Sequence, residues 1–200
     1  MPKSNPFATR FVKPGAVDFQ FSGCGDLSFL LRKLKDDGWW GQILGPHGSG
    51  KSTLIYSLLK RLVKVRRTCV HVQLSNCQNR VAFDVAQTRC WNKDTQVIID
   101  GFEVLPWNCK RRLRQECRYR NAGLLITSHR RLRGIPVLFQ TEASEGVTQQ
   151  LVDRLTIAGD SCLSKNDVRT SYAKFNGNVR ETLFDLYDLY EQRSTQKQNC

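Results

Sequence analysis

The stretch Gly45-Pro46-His47-Gly48-Ser49-Gly50-Lys51-Ser52 decides how this chain folds. Three glycines precede a lysine and a serine, and the stretch separates a short apolar run from a longer run with helical spacing. Glycines let successive backbone N–H groups curl around an anion, and a helix that begins there adds unpaired N–H groups and the positive end of its dipole. The pattern fits G-x-x-x-x-G-K-[ST] at every fixed position and predicts a loop that holds the phosphates of a nucleotide.

The polar residues in and beyond this loop have expected tasks. Lys51 reaches the outer phosphates, and Ser52 ligates Mg²⁺. Val97-Ile98-Ile99-Asp100 has the pattern of a buried strand that ends in a carboxylate, and Asp100 is expected to hold Mg²⁺ through water. We therefore predict ATP, favoured among the nucleoside triphosphates, and Mg²⁺. The residues predicted to hold the nucleotide are Gly45, Pro46, His47, Gly48, Ser49, Gly50, Lys51, Ser52 and Thr53.

Apolar runs of strand length recur along the first three quarters of the chain. Five of them alternate with helical or basic stretches, at 42–44, 68–74, 96–99, 123–127 and 136–139. Strands that alternate with helices indicate a parallel sheet. Beyond about residue 146 the strand-like runs stop, and three helical patterns follow. We predict an α/β fold, a five-stranded parallel P-loop NTPase sheet flanked by helices, with a small C-terminal three-helix lid.

These patterns divide the chain into four parts. Residues 1–37 are predicted to form an N-terminal extension and a short amphipathic helix at 25–37, residues 38–145 the nucleotide-binding core, and residues 146–194 the helical lid. Within the core, a helix is expected from Lys51 to about Arg67. In the lid, Ser164 and Asn178 have the positions of helix caps. The polar residues 195–200 are expected to form a frayed tail.

The composition is that of a globular protein with a strong positive charge. The 200 residues are 40% hydrophobic, and 31 Lys and Arg against 18 Asp and Glu give a formal net charge of +13. Polyanions are therefore plausible partners. No leader-like or membrane-spanning apolar run is present, which predicts a soluble, cytoplasmic chain. The eight cysteines form no C-x-x-C pair, so we expect reduced and mostly buried thiols instead of zinc ligands or disulfides.

Glu103 is a candidate for the residue that polarises the attacking water. It follows Asp100 by three positions, close enough along the chain for the two carboxylates to share a site. In the large class of P-loop ATPases that use a catalytic glutamate, that residue directly follows the aspartate, and here Gly101 stands in its place. The alternative interpretation is an acidic residue that favours the start of the helix after Pro106.

Two further stretches resemble nucleotide-sensing positions of known ATPases. Leu124-Leu125-Ile126-Thr127-Ser128-His129 is an apolar strand that ends in polar residues, and Ser128 or His129 resembles the sensor-1 residue of AAA+ ATPases and the switch histidine of ABC ATPases. Gly177-Asn178-Val179-Arg180-Glu181 resembles the sensor-2 signature at the start of the last lid helix. That resemblance implies that Arg180 contacts the nucleotide, whereas the alternative is a surface arginine on a well-capped helix.

Together these motifs cover most of residues 38–193 and resemble a compact AAA+ ATPase of the additional-strand catalytic-glutamate class. Members of that family assemble through an arginine that acts on the neighbouring subunit. The stretch 129–135 is too short for the helix that carries this arginine, and Arg130, Arg131 and Arg133 are the available candidates. A homo-oligomer is therefore compatible with the sequence but has no clear arginine finger behind it.

The segment Lys110 to Arg120 is unusually basic. Leu105, Cys109, Leu113 and Cys117 recur at helical spacing and predict a stripe that faces the sheet, with positive charge on both sides of it. One interpretation is a nucleic-acid contact through arginine–phosphate pairs, and the other is a solvated helix face or a subunit contact. The aromatic residues Trp39, Trp40, Trp107 and Tyr119 are candidates either for stacking on bases or for packing.

The sequence therefore leads to one main functional hypothesis and two alternatives. The main hypothesis is an ATPase whose hydrolysis changes the angle between the sheet and the lid and so switches its grip on a partner, with DNA as one candidate. Lys51, Glu103, Ser128, His129 and Arg180 are its predicted catalytic residues, and Ser52 and Asp100 its metal ligands. The alternatives are a P-loop kinase that phosphorylates a small molecule and a nucleotide-gated scaffold that does not hydrolyse.

Overall fold

The computed structural model of the chain describes residues 5–21, 25–74, 88–156 and 162–198. Strands and helices alternate through the first part of the chain, and helices alone form the last part. The helices are α1 (Thr9–Val12), α2 (Leu27–Asp36), α3 (Lys51–Lys64), α4 (Trp107–Tyr119), α5 (Glu145–Leu155), α6 (Lys165–Lys174) and α7 (Val179–Gln198), and a 3-10 turn spans Phe102–Val104. The strands are β1 (Trp40–Leu44), β2 (Thr68–Gln73), β3 (Thr95–Asp100), β4 (Gly123–Ser128) and β5 (Val137–Gln140).

The five strands form one parallel sheet in the order β2-β3-β4-β1-β5. This confirms the predicted fold class, and each predicted strand is present with its ends shifted by a few residues at most. Because all strands run the same way, their carboxyl ends share one edge, which is where open α/β sheets bind ligands. The phosphate loop follows β1, Asp100 ends β3, and His129 follows β4 directly.

The central strands are buried on both faces, as expected for a parallel sheet covered by helices. On one face, side chains of β3 and β4 pack with α4 and the turn before it, in a cluster that includes Val97, Ile99, Leu124, Ile126, Leu113 and Cys117. On the other face, Ile43, Ile98 and Leu125 pack with α2 and α3. The helix α4 therefore lies on the opposite face of the sheet from α2 and α3.

The helix α3 ends earlier than the sequence suggested. It begins at Lys51 as expected but stops at Lys64 rather than near Arg67, because Arg66 has a left-handed φ of 61°. A residue in this conformation terminates helices because it turns the chain away from the helix axis. Arg67 is then buried, donates to the carbonyl of Thr95 and lies 4.0 Å over the ring of Trp39. Arg67 therefore attaches the start of β3 to the segment that follows α3.

The last three helices form a bundle with its own apolar core, made by Val152, Val168, Leu183, Leu186 and Tyr190 together with Phe7 and Cys162. Ser144 caps α5, and Ser164 and Asp167 form the reciprocal capping box of α6. The frayed tail expected at 195–200 is not seen in its described part, because α7 continues to Gln198. Arg193, near its end, donates to both carboxylate oxygens of Asp167 at 2.7 and 2.8 Å.

Residues 5–21, here named the N-terminal strap, connect the bundle with the sheet. Phe7 lies in the core of the bundle, and Asn5 donates to the carbonyl of Tyr187 and to Glu191. At the other end, Phe19 and Phe21 pack edge to face on Phe139 of β5. The extension predicted at 1–37 is therefore a structural link in its described part.

The remaining expectations concern membranes and cysteines. None of the helices in the described part of the chain is both long and apolar enough to cross a membrane. No described cysteine forms a disulfide, and the described residues contain no cluster that could hold a metal through three or more His, Cys, Asp or Glu side chains. Cys117 and Cys162 are buried, Cys69 and Cys109 are partly buried, and Cys90 is exposed. Cys24, Cys77 and Cys200 lie outside the described residues.

Candidate functional site

The phosphate loop is a tight turn between β1 and α3. Gly48 and Gly50 have φ values of 72° and 87°, in the left-handed region that favours glycine, and Gly50 is the N-cap residue of α3. Ser49 lies 2.6 Å from the hydroxyl of Thr141, which follows β5. Thr141 in turn donates to the carbonyl of Leu44 at the end of β1. The loop is thus fixed to both strands that precede and flank it.

Lys51 lies inside the loop. Its Nζ donates to the carbonyl oxygens of Gly45 and Pro46 at 2.8 and 2.6 Å, and the residue is 9% exposed. Burial lowers the pKa of Lys51, while the nearby carboxylates of Glu103 and Asp100 oppose this shift. The ammonium group is therefore held within the loop by two backbone carbonyls.

Asp100 presents one free carboxylate oxygen to the same space. Its Oδ1 accepts a 2.7 Å hydrogen bond from Thr127 in the neighbouring strand β4, and Thr127 accepts one from the N–H of Gly101. Its Oδ2 is buried and has no hydrogen-bond partner among the described residues. A buried carboxylate oxygen without a donor fits a cation, since hard cations such as Mg²⁺ take oxygen ligands. Thr127 was missed by the sequence reasoning, although a polar residue inside an apolar strand was its signal.

Glu103 reaches the phosphate loop through His129. The 3-10 turn that carries it starts after Gly101, which has a left-handed φ of 86°. A Cβ at this position would lie 2.9 Å from the carbonyl oxygen of Leu74, so there is no room for a side chain. Glu103 Oε1 lies 2.9 Å from His129 Nε2, while Oε2 is buried and unpartnered among the described residues. The turn thus explains why the carboxylate comes three positions after Asp100 and still reaches the cavity.

His129 connects the glutamate with the loop. Its Nδ1 lies 2.9 Å from the carbonyl oxygen of Gly45, so this nitrogen must donate. Its ring also stacks on that of His47, with centroids 3.9 Å apart and planes inclined by 45°. Burial, then the neighbouring His129, lowers the pKa of His47. The sequence named His47 only as a loop position, and this stacking was not foreseen because the two residues are 82 positions apart.

Ser128 takes no part in this constellation. It is buried, its Oγ donates to the carbonyl of Arg130 at 2.8 Å, and it accepts from the N–H of the same residue. It is also not one of the residues that line the cavity beside the loop. Of the two residues named at the end of β4, the structure therefore brings His129 to the loop and directs Ser128 to the following backbone.

The first turn of α7 lies against the loop from the other side. Asn178 approaches Gly48 so closely that a side chain at position 48 would meet its Oδ1. Arg180 is exposed and lines the same cavity, and its charge lowers the pKa values of Lys51 and His47 as a minor contribution after burial. The bundle thus brings the guanidinium of Arg180 to the mouth of the site.

These parts enclose a cavity of about 870 Å³, within the usual range for a small-molecule site. The loop residues from His47 to Thr53 form its floor, Asp100, Glu103 and His129 one wall, and the start of α7 another. The N-terminal strap closes the remaining side with residues between Thr9 and Gln20. Ser52 and Thr53 also lie on this floor.

Comparisons with known proteins add little to this geometry. No family model matches the chain, and no curated protein matches it. Among solved structures, the structure of C. elegans PCH-2 is similar to this chain at 14% sequence identity over 84% of this chain and 67% of that one, with a TM-score of 0.39. A likeness of this size carries no argument about function.

Proposed function

We propose that this chain binds ATP with Mg²⁺ at the phosphate loop and hydrolyses it, and that the reaction changes how the C-terminal bundle contacts the sheet. The observation that carries the proposal is convergence. Lys51, the neighbouring residues Asp100 and Glu103, and His129 come from three separate segments of the chain and line one cavity beside the loop. Preorganised charge of this kind is what phosphoryl transfer requires, because the reaction depends more on positioning and electrostatics than on covalent chemistry.

The side chains divide the work between phosphates and metal. Loop N–H groups and Lys51 bind the phosphate oxygens, with Arg180 added from the bundle. Ser52 and the unpartnered oxygen of Asp100 hold the cation, through water in the case of Asp100. When bound, Mg²⁺ would supply positive charge that offsets the negative charge developing on the phosphates. Thr127 keeps Asp100 in place, since its hydrogen bond fixes the other carboxylate oxygen.

Glu103 and His129 handle the water and the terminal phosphate. In the present arrangement His129 contacts Oε1 of Glu103, and Lys51 donates to two carbonyls of the loop. Glu103 and Lys51 therefore both have partners within the protein. A terminal phosphate beside the loop offers His129 a stronger acceptor than the carbonyl of Gly45. Turning His129 toward that phosphate releases Glu103, which then orients the attacking water and takes up its proton.

One observation favours a second candidate, a nucleotide-gated scaffold that binds ATP without hydrolysis. The contact between Glu103 and His129 occupies Oε1 of the glutamate and weakens the carboxylate as a base for as long as it is intact. A chain in which ATP never breaks this bond would still close the bundle over the nucleotide through Arg180. The difference is whether phosphate is released.

The test is steady-state phosphate release from the full chain with Mg-ATP. Lys51→Ala is expected to abolish both nucleotide binding and phosphate release, whereas Glu103→Gln is expected to keep binding and to lower the rate about 100-fold or more. Lys64→Ala, which removes an exposed lysine at the far end of the same helix α3, is the matched control and is expected to behave as the wild type. Phosphate release unchanged in Lys51→Ala would overturn the proposal, and tight binding with no release in the wild type would favour the scaffold.

A homo-oligomer would extend this proposal, because an arginine of one copy would then act at the nucleotide of its neighbour. Arg130, Arg131 and Arg133 are exposed in the segment after His129, where they could reach the nucleotide of a neighbouring copy. Hydrolysis per chain that rises with protein concentration, and falls in Arg131→Ala, would support this role.

A further inference from the structure

The outward face of α4 has an unusual composition. Its exposed residues are Trp107, Asn108, Arg111, Arg112, Gln115, Arg118 and Tyr119. Three arginines, two aromatic rings and two amides make up this face, and it contains no carboxylate. The inward residues Leu113 and Cys117 hold the helix on the sheet, so the outward face is presented on a rigid element.

The positive charge of this face is not neutralised by any carboxylate in the described part of the chain. No carboxylate of the described residues lies within ion-pair distance of Arg111, Arg112 or Arg118. The two basic residues at the edges of the face, Lys110 and Arg114, donate to backbone carbonyls and not to carboxylates. Among the described residues, the ion pair within residues 110–120 joins Arg120 Nε and Glu116 Oε1, 3.1 Å apart.

The two aromatic rings are far more exposed than packing would require. Trp107 is 72% exposed and Tyr119 is 77% exposed. Arg111 lies 5.6 Å from the centre of the Trp107 ring, and Arg120 lies 5.1 Å from that of Tyr119. The rings are separated by twelve residues of helix, about 18 Å. Each end of the face therefore offers a flat ring beside a cation.

A second basic segment, residues 130–134, lies against the same side of the molecule. Arg114 donates to the carbonyl of Arg133, which attaches the segment to α4. The buried amide of Gln42 in β1 binds the backbone of Leu132 and Ile135 through three hydrogen bonds. Arg130, Arg131 and Arg133 point outward from this fixed backbone. The arginines are thus presented without the entropic cost of ordering a loop.

We propose that the outward face of α4 and residues 130–134 bind single-stranded nucleic acid. Arginines bind the phosphate backbone, and the rings of Trp107 and Tyr119 stack on unpaired bases, which is how proteins hold single strands without reading sequence. A duplex hides its base faces and would use the arginines alone. An acidic protein surface would likewise satisfy the arginines and leave both rings without partners.

The surface is connected to the nucleotide site, and this part of the inference rests on the proposed function. Lys110 donates to the backbone carbonyl of Glu103 at 2.9 Å, and the backbone of Arg130 exchanges hydrogen bonds with Ser128, next to His129. Movement of α4 or of residues 130–134 is therefore transmitted to both members of the Glu103–His129 pair. A bound single strand is expected to change the rate of phosphate release.

Binding is tested first without nucleotide, by fluorescence anisotropy of the full chain with labelled oligomers. The probes are a run of about 20 deoxythymidines, a run of about 20 uridines and a duplex of similar length. We expect both single strands to bind more tightly than the duplex, and the comparison of the first two distinguishes DNA from RNA. A duplex that binds as tightly as either single strand, or no binding at low salt, overturns the proposal.

The variants separate stacking from charge. Trp107→Ala and Tyr119→Ala are each expected to weaken single-strand binding about 5- to 100-fold and to leave the salt dependence unchanged. Arg111→Ala and Arg112→Ala are each expected to reduce the slope of log affinity against log salt by about 0.7. Phe29→Ala and Lys35→Ala, which make the same kinds of change at α2 on the opposite face, are the matched controls.

The outcomes also keep the two proposals apart. Lys51→Ala is expected to bind single strands as the wild type does, because the surface does not include the phosphate loop. If the double variant Trp107→Ala, Tyr119→Ala binds single strands as tightly as the wild type, the proposed stacking on these rings is wrong, whatever the ATPase assay shows. Single-strand binding in a chain that releases no phosphate leaves the surface intact and refutes only its connection to hydrolysis.

Discussion

At the scale of single residues, the contact between Gly48 and Asn178 is the most sensitive point of the site. Gly48→Ala introduces a side chain at a left-handed φ of 72° and against Asn178. We expect the start of α7 to be displaced from the loop and ATP affinity to fall about tenfold or more, since a displacement that costs about 1.4 kcal/mol of binding free energy is already a factor of ten. Titration of a fluorescent ATP analogue measures the effect.

Gly38→Ala is the control for backbone strain alone. Gly38 has a similar φ of 67°, but an added Cβ has no neighbour within 4 Å. Gly38→Ala should lower the free energy of unfolding by about 1 kcal/mol, because alanine adopts this conformation at that cost, and Gly48→Ala should lower it by at least as much. Equal nucleotide affinities in the two variants would contradict a specific role for the contact with Asn178.

His71 gives the fold a predictable pH dependence. It lies half-buried in β2, its Nε2 has no hydrogen-bond partner among the described residues, and its ring meets that of Tyr56 edge to face. Burial lowers the pKa of His71 from its ordinary 6.5, and the charge of Asp100 opposes this. The unfolded chain therefore takes up this proton near pH 6.5 and the folded chain only at lower pH. The free energy of unfolding is expected to fall as the pH drops from 6.5 through the folded pKa.

His71→Gln is expected to reduce this dependence, because glutamine does not titrate. Urea unfolding between about pH 7.5 and pH 5.5 measures it, a range in which histidines are the main side chains that change charge. The variant retains part of the slope, since burial also lowers the pKa of His47. A slope as steep as that of the wild type would show that His71 is not responsible.

At the scale of elements, the end of α7 depends on one ion pair. Arg193 binds both oxygens of Asp167 and the carbonyl of Cys162, which joins the end of α7 to the start of α6. The pair lowers the pKa of Asp167 well below its ordinary range. Arg193→Lys keeps the charge but loses the paired geometry, and we expect it to lower the free energy of unfolding by about 1 to 2 kcal/mol.

Thermal unfolding and hydrogen exchange of α7 measure this prediction. Lys60→Ala breaks the pair with Asp18, whose side chains are 59% and 67% exposed, and is the control. Such an exposed pair is expected to contribute less than about 1 kcal/mol. An equal loss of unfolding free energy in the two variants would contradict a special role for the pair with Asp167. Hydrogen exchange of α7 that is unchanged in Arg193→Lys would contradict it as well.

The elements also separate what the sequence could predict from what it could not. The loop, the five strands and the buried stripe of α4 were predictable because each is encoded in neighbouring residues through glycines, apolar runs or helical spacing. The stacking of His47 on His129 and the hydrogen bond from Thr127 to Asp100 join segments far apart in the chain, so no local pattern reports them. The tail after Arg193 was expected to fray because its residues are polar, and no local pattern reports that Arg193 pairs with Asp167, 26 positions away.

At the scale of the whole molecule, the N-terminal strap determines how the sheet and the bundle fit together. Phe7 is 1% exposed within the bundle, while Phe19 lies on the sheet and its N–H donates to Ser57 of α3. Phe7→Ala is expected to lower the free energy of unfolding by about 3 to 5 kcal/mol, the usual cost of truncating a buried phenylalanine. Because the strap also forms a wall of the cavity, ATP affinity should fall as well, although Phe7 itself does not line the cavity.

Phe11→Ala is the matched control on the same segment. Phe11 is 40% exposed, and its truncation is expected to change the free energy of unfolding by less than about 1 kcal/mol. Denaturant unfolding, with and without Mg-ATP, compares the two. If Phe7→Ala were as stable as Phe11→Ala, the strap would not be part of the core that joins the two halves.

The bond between Asn5 and Glu191 has a consequence for how the protein is made. The two residues are 186 positions apart, so the ribosome completes the strap long before it completes the helix that receives it. At about 5 to 20 residues per second this interval is about 10 to 40 seconds. During translation the strap and Phe7 therefore wait without their final partners, and the cavity acquires its last wall only after α7 has emerged. A nascent chain that already carries the complete phosphate loop is thus expected to bind nucleotide fully only once synthesis has passed α7.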